Sequence, residues 1–192
     1  MCVVNQIHLE LCSSAEWADT VSRFIIPWVL EDLDLGDNVL EVGPGPGRTT
    51  EALVGLVPRL TAVDLDQDLA DALGTRLAGP TFEAVHADAT NLPYQEGTFS
   101  AVLSFTMLHH LQSVDAQDRV FAEAARVLRP GGVFAGTDSL DRPEFRDLHV
   151  DDICVPIDPA SFGDRLFAAG LERVEVVTND FAVRFRGWRA VE

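Results

Sequence analysis

Apolar and polar positions along this chain follow two periods, and the changes from one to the other mark out its elements. Short apolar runs at 38–42, 60–64, 81–86, 101–104 and 132–137 have the length of buried strands. Between them, residues 47–56, 67–77 and 115–128 place apolar side chains three and four apart, the period of an amphipathic helix. Asp66 and Asp115 stand where N-caps are expected, since a short carboxylate there accepts from the first free amides of a helix. Strands alternating with helices predict βαβ units, and therefore an α/β fold with a doubly wound, Rossmann-like, mostly parallel sheet covered on both faces.

The two ends of the chain read differently. Residues 14–33 open on Ser13 or Ser14 as a cap and place Trp17, Val21, Phe24, Ile25 and Trp28 on one helical face. Pro27 lacks an amide donor and predicts a kink or a break into two pieces. Near the other end, a helix at 158–169 is stopped by Gly170. LERVEVVTN and FAVRFRGWRA then alternate around Asn179-Asp180, the pattern of an antiparallel hairpin. Segment 138–157 is the least regular stretch. With no repeat or linker in view, residues 1–192 are expected to form a single domain: a helical cap over 1–35, a core over 36–140, and an accessory segment with the hairpin over 141–192.

Composition narrows the classes of partner. With 14 basic against 31 acidic residues and a net charge of −17, the averaged field repels phosphate backbones and anionic headgroups, so neither nucleic acid nor membrane is expected as a partner. No apolar run reaches spanning length, and the start MCVVNQIHLELC lacks a basic leader segment and carries Glu10, so a cytoplasmic location is expected. Cys2, Cys12 and Cys154 show no metal-binding spacing and are expected as free thiols.

The chemistry concentrates after the first strand. In VLEVGPGPGRTT an apolar run enters Gly43, Gly45 and Gly47 and a helix follows, which puts a turn without side chains at the carboxyl end of a strand, where open α/β sheets bind ligands. A dinucleotide GxGxxG counted from Gly43 needs glycine at 48, where this chain has Arg48. Glu41, two residues before the first glycine, is a carboxylate able to take the turn's amides or an ammonium group. Asp64 ends the second strand, 21 residues after Gly43, in position for two ribose hydroxyls, with helix capping as its alternative role.

In order and spacing, VLEVGPGPGRTT, AVDLD, HADATNLPY, FSAVLSFTMLHHL and RVLRPGGVFAGTD resemble the successive motifs of class I S-adenosylmethionine-dependent methyltransferases, of the small-molecule, type 11-like kind. The resemblance covers roughly 36–140 and implies a seven-stranded sheet whose C-terminal hairpin supplies an antiparallel strand. It implies further that Glu41, Gly43, Gly45 and Gly47 surround the aminocarboxypropyl and ribose parts of the cofactor. Asp64 would hold the ribose hydroxyls, Leu65 would pack on adenine, Asp88 and Ala89 would read the adenine edge, and Phe105 would face the methionine end. Pro44 and Pro46 depart from most such loops, stiffening the turn and removing two amides.

For the acceptor side the residues leave alternatives. His109 and His110 are consecutive and cannot face the same way; His109 is favoured as a base, with a structural role as its alternative. Asp138, Asp141, His149, Asp151 and Asp152 are ligand types for a magnesium-like divalent ion, but a solvated acidic loop needs none; no metal ligand is assigned, and Asp138 and His149 join His109 as candidates for the chemistry. Arg142 and Arg146 offer a site for a substrate carboxylate. The expectation is methyl transfer to a small-molecule substrate, at oxygen. Its alternatives are C- or N-methylation, a nicotinamide-dependent oxidoreductase, or a non-catalytic cofactor-binding protein. The short recognition region leaves room for a homodimer partner to complete the pocket.

Overall fold

The computed structural model describes residues 4–191, so the expectation for Cys2 lies outside the described residues. Its central feature is a seven-stranded sheet in the order β3-β2-β1-β4-β5-β7-β6. The strands are β1 (Val39–Val42), β2 (Leu60–Asp64), β3 (Phe82–His86), β4 (Phe99–Phe105), β5 (Leu128–Ser139), β6 (Leu171–Thr178) and β7 (Ala182–Arg189). The first five pair in parallel, and β7 runs antiparallel between β5 and β6. Strand order reverses at β1 and β4, which opens a crevice at their carboxyl ends.

Alternation along the strands builds a core on each face. Leu40, Val42, Val102 and Phe134 pack with Val120 and Phe121 of α6 (Val114–Val127) and with Phe162 and Leu166 of α8 (Pro159–Ala168). Val39, Ala101, Leu103 and Val133 pack on the opposite side with Leu53 of α4 (Arg48–Leu53) and with Val21, Ile26 and Val29 from the N-terminal helices. At the expected hairpin turn, the Asn179 side chain accepts from the amides of Phe181 and Ala182.

Some local expectations change. The helix read over 14–33 is α2 (Ala15–Thr20), a π turn at Val21–Ile25, and α3 (Ile26–Leu30), with Ser14 capping through its hydroxyl to the Trp17 amide. The wide π turn inserts one residue into the apolar repeat, so Ile26 and Val29 are buried where a regular helix would bury Phe24, and Phe24 is exposed. Arg184 and Arg186 of β7 donate to the carbonyls of Trp28, Val29 and Glu31, closing the end of α3. Ser113, rather than Asp115, caps α6. Two further helices are α1 (Gln6–Ser13), capped by Asn5, and α7 (Pro143–Asp147) inside the irregular segment. α5 (Gln67–Arg76) is capped by Asp66 as expected. No helix among the described residues is long and apolar enough to cross a membrane.

Candidate active site

A cavity of about 840 Å³ lies over the carboxyl ends of β1, β2 and β4, with α1 and α2 as its roof. It is of the size that holds a cofactor or drug-sized ligand. Gly43, Gly45, Asp64, Leu65, Asp88, Ala89 and Phe105 all line it. The sheet explains this convergence, because each of them follows or ends a parallel strand at the same edge.

The glycine loop is shaped from within. Gly43 N–H donates to Val63 O (2.8 Å), Gly45 N–H to Asp64 Oδ2 (3.0 Å), and Gly47 N–H to Pro44 O (2.9 Å). With Pro44 and Pro46 lacking amides, every backbone donor between residues 43 and 47 is already engaged, and the loop offers a ligand shape rather than hydrogen bonds. At Gly43 a Cβ would collide with Met107 Cγ, whereas at Gly45, with φ of +53°, nothing lies within 4 Å of the Cβ position. Gly43 is thus required by the protein's own packing; Gly45 leaves open space facing the cavity. Gly47 is in the left-handed conformation before α4 and does not line the cavity.

Glu41 departs from the expected role. It is buried beneath the loop, and its carboxylate accepts hydrogen bonds from the Thr49 and Thr50 hydroxyls rather than from loop amides. The cause is register: Glu41 alternates with Leu40 and Val42 and so faces α4. Burial pushes its carboxyl up to about 7, against the lowering effect of the two threonines. Asp64 is used on both oxygens, Oδ1 accepting from Asp66 N–H (2.9 Å) and Oδ2 from Gly45 N–H, while it still faces the cavity. Burial raises its pKa, and these backbone bonds oppose the rise. Capping falls to Asp66, which leaves Asp64 free of that alternative. Asp88 Oδ1 accepts from the Thr90 amide and hydroxyl, which fixes its carboxylate at the rim.

The acceptor-side candidates are divided. His110 lines the cavity, and His109 is turned away from it, reversing the expected order. His109 Nδ1 meets Asp138 Oδ1 at 2.6 Å, both residues being almost wholly buried. His149 is buried beside them, its Nδ1 donating to Phe145 O (2.7 Å). Neither His149 nor Asp138 lines the cavity. Arg146 is bound by Asp141, and Arg142 donates to Asp180 O and covers the Phe181 ring, so neither serves a substrate carboxylate in the cavity. Thr106, next to Phe105 on the cavity wall, has a φ of +48°, a strained conformation that its amide's bond to Thr137 O helps hold.

Sequence reasoning missed α1. It brings His8 and Cys12, one helical turn apart, to the cavity. His8 approaches His110 and His149 with ring centroids 4.9 and 4.7 Å away. Burial, then the neighbouring imidazoles, pushes His8 down to about 4 and His110 down to about 2, so both are neutral near pH 7. Cys12 is a half-buried free thiol pushed up to about 11 by burial, which keeps it protonated.

Residues 40–136, just over half of the chain, match the family described as "Methyltransferase domain". The chain belongs to this methyltransferase family. Demethylmenaquinone methyltransferase of Clavibacter sepedonicus is 35% identical over 117 residues, 60% of this chain and 44% of that protein. Ribosomal RNA small subunit methyltransferase A of Psychrobacter cryohalolentis is 39% identical over 79 residues, 38% of this chain and 28% of that protein. The chain therefore spans less than half the length of these curated relatives. A S-adenosylmethionine-dependent methyltransferase from Aquifex aeolicus superposes with a TM-score of 0.73 at 18% identity, covering 94% of this chain and 96% of that one, a likeness of fold. S-adenosylmethionine is the cofactor of this methyltransferase class. Two observations fit it: the side-chain-free space over Gly45, and a wall carrying Asp64, Asp66, Asp68 and Asp88 that suits a cationic ligand with ribose hydroxyls.

Proposed function

We propose that the chain transfers the methyl group of S-adenosylmethionine to an oxygen of a small-molecule acceptor. The bound cofactor supplies a methyl group already activated on a sulfonium centre, so the protein's task is alignment and exclusion of water. In this reading Asp64 holds the ribose hydroxyls, Leu65, Asp88 and Ala89 surround the adenine, and Gly45 with Phe105 borders the methionine end. α1 and α2 close the cavity from above, with Leu9, Cys12 and Trp17 on its roof.

The observation that carries the acceptor class is the charge at the cavity. Among the described residues four aspartates line it, and the one Arg or Lys there, Arg48, is engaged with Ser13 O and Glu51. A polyanionic RNA strand would meet repulsion at this mouth and from the net charge of −17. Oxygen is favoured as the atom because the cavity wall presents the neutral imidazoles of His8 and His110, groups that orient a hydroxyl by accepting its hydrogen bond.

The test is transfer from radiolabelled S-adenosylmethionine into two pools: a panel of phenols, catechols, quinols, thiols and amines, and total tRNA and rRNA. Label in a hydroxyl-bearing small molecule is the expected result. Label in RNA would overturn the acceptor class, and label in an amine or at carbon would overturn the oxygen assignment.

A further inference from the structure

Four of the five histidines in the chain converge on one point: His8 of α1, His109 and His110 of the 3-10 turn after β4, and His149 after α7. One ring nitrogen from each lies within 4.8 Å of the other three. His8 Nδ1, His109 Nε2, His110 Nδ1 and His149 Nε2 are all buried, and none has a hydrogen-bond partner. Three of the four side chains are themselves buried; His110 is partly so.

The tautomers of two of these rings follow from their other nitrogens. His109 Nδ1 lies 2.6 Å from Asp138 Oδ1 and His149 Nδ1 lies 2.7 Å from Phe145 O, and carboxylate and carbonyl can only accept. Their Nε2 atoms are therefore lone pairs aimed inward. The Ile153 backbone also lies beside the His110 ring. Buried lone pairs that face one another without a donor are unfavourable, and what reconciles them is a cation at their centre. The carboxylate behind His109 and the carbonyl behind His149 are also the arrangement that orients histidines toward a metal.

We propose that His8, His109, His110 and His149 form a binding site for a divalent first-row transition metal ion at the acceptor end of the cavity. Four imidazole nitrogens suit zinc, copper, nickel or iron, and an all-nitrogen set disfavours magnesium and calcium, which take oxygen. Four nitrogens no farther apart than 4.8 Å can share a centre about 2.9 Å from each, so side-chain shifts under about 1 Å reach the usual Zn–N distance of about 2.0–2.1 Å. Asp138 is then a positioning residue, acting through His109.

The ion would also fasten the roof. α1 is already tied to the region after α7, the Asn5 side chain donating to Leu148 O (2.8 Å) and its backbone N–H to Asp152 Oδ2 (3.2 Å). His8 and His110 border the cavity, so the ion stands at its wall, and in the loaded protein it, rather than a free imidazole, meets the acceptor hydroxyl. That last role rests on the methyl-transfer reading; metal binding does not.

The test uses the full chain stripped with chelator, titrated calorimetrically with zinc and spectroscopically with cobalt(II), in excess magnesium to saturate surface carboxylates. One equivalent of zinc, visible cobalt bands of a four- or five-coordinate site, and a melting temperature that rises with zinc are expected. His109→Gln and His149→Gln should each weaken binding at least about 100-fold, and Asp138→Asn about 10–100-fold. His86→Gln, which alters the one histidine outside the cluster, should leave it unchanged, and circular dichroism verifies that each variant is folded. Only six-coordinate cobalt with no stoichiometric zinc would overturn the proposal, as would binding that survives both His109→Gln and His149→Gln. S-adenosylhomocysteine titrated into the same samples separates the readings: cofactor bound without metal overturns the site alone, and metal bound without cofactor overturns the methyl-transfer reading alone.

Discussion

Replacing Asp64 separates its two duties, because each carboxylate oxygen takes one backbone amide and retains a further lone pair toward the cavity. In Asp64→Ala the amides of Gly45 and Asp66 lose their acceptor at the cavity edge, where water replaces it, so about 1–2 kcal/mol of stability is lost. The ribose loses two hydrogen bonds to a charged acceptor, together about 2–5 kcal/mol, which is roughly 30- to several-thousand-fold in affinity. Asp64→Asn keeps one carbonyl acceptor without the charge and should fall between, at roughly tenfold to a hundredfold. Calorimetric titration with S-adenosylhomocysteine reads the affinity, and thermal unfolding without ligand reads the stability. Ser113→Ala is the matched control: it removes the α6 cap from the Ala116 amide at a residue that does not line the cavity, for about 1 kcal/mol of stability. If Asp64→Ala binds within twofold of the unaltered protein, or loses no more affinity than Ser113→Ala, then the carboxylate serves the loop alone and the assignment fails.

Gly45→Ala meets no atom within 4 Å, so its cost in stability is the left-handed backbone alone, about 1–2 kcal/mol; cofactor affinity should fall more than tenfold because the methyl group occupies the cradle. Unchanged S-adenosylhomocysteine binding would remove the cofactor from this loop. Glu41 supplies the pH dependence: with its carboxyl raised from 4.5 to about 7, the folded state holds the proton more tightly than the unfolded chain. Its contribution is complete below pH 4.5 and is lost as pH rises through about 7, an effect on the order of 3 kcal/mol. Glu41→Gln, which cannot ionise, should therefore gain in melting temperature relative to the unaltered protein between pH 5 and 8, and parallel curves would show that Glu41 does not titrate in that window.

The strands of this fold were legible because β1, β2 and β4 are buried on both faces and read as continuous apolar runs, each ending in a glycine, aspartate or threonine at the ligand edge. The hairpin was legible from alternation and from Asn179. Phe24 was misread because a π turn leaves no mark in an apolar repeat and moves every later residue by one position. Glu41 was placed on the edge correctly, but its direction depends on strand parity, which puts it opposite Leu40 and against α4. The choice between His109 and His110 turned on Asp138, a partner on the next strand that spacing alone does not reveal. His8 was the furthest out of reach, since α1 is short and its neighbours in the cluster, His109, His110 and His149, lie far along the chain from it. The signal that existed was scarcity: among five histidines, HH in one turn and three singles invite the question of where the singles go.

The insertion of β7 between β5 and β6 has a bearing on how the protein is made. β5 is the longest strand of the sheet, and its two neighbours come from opposite directions in time: β4 precedes it, while β7 is synthesised after two helices and another strand. Until Ala182–Arg189 has emerged, the side of β5 that pairs with β7 is an open edge carrying Val133, Phe134 and Ala135, with the Thr137 hydroxyl awaiting the Val183 carbonyl. Such an edge invites pairing with another nascent chain. The last strand thus acts as a seal on the sheet, and until residue 189 has emerged the β7 side of β5 stays open to such pairing.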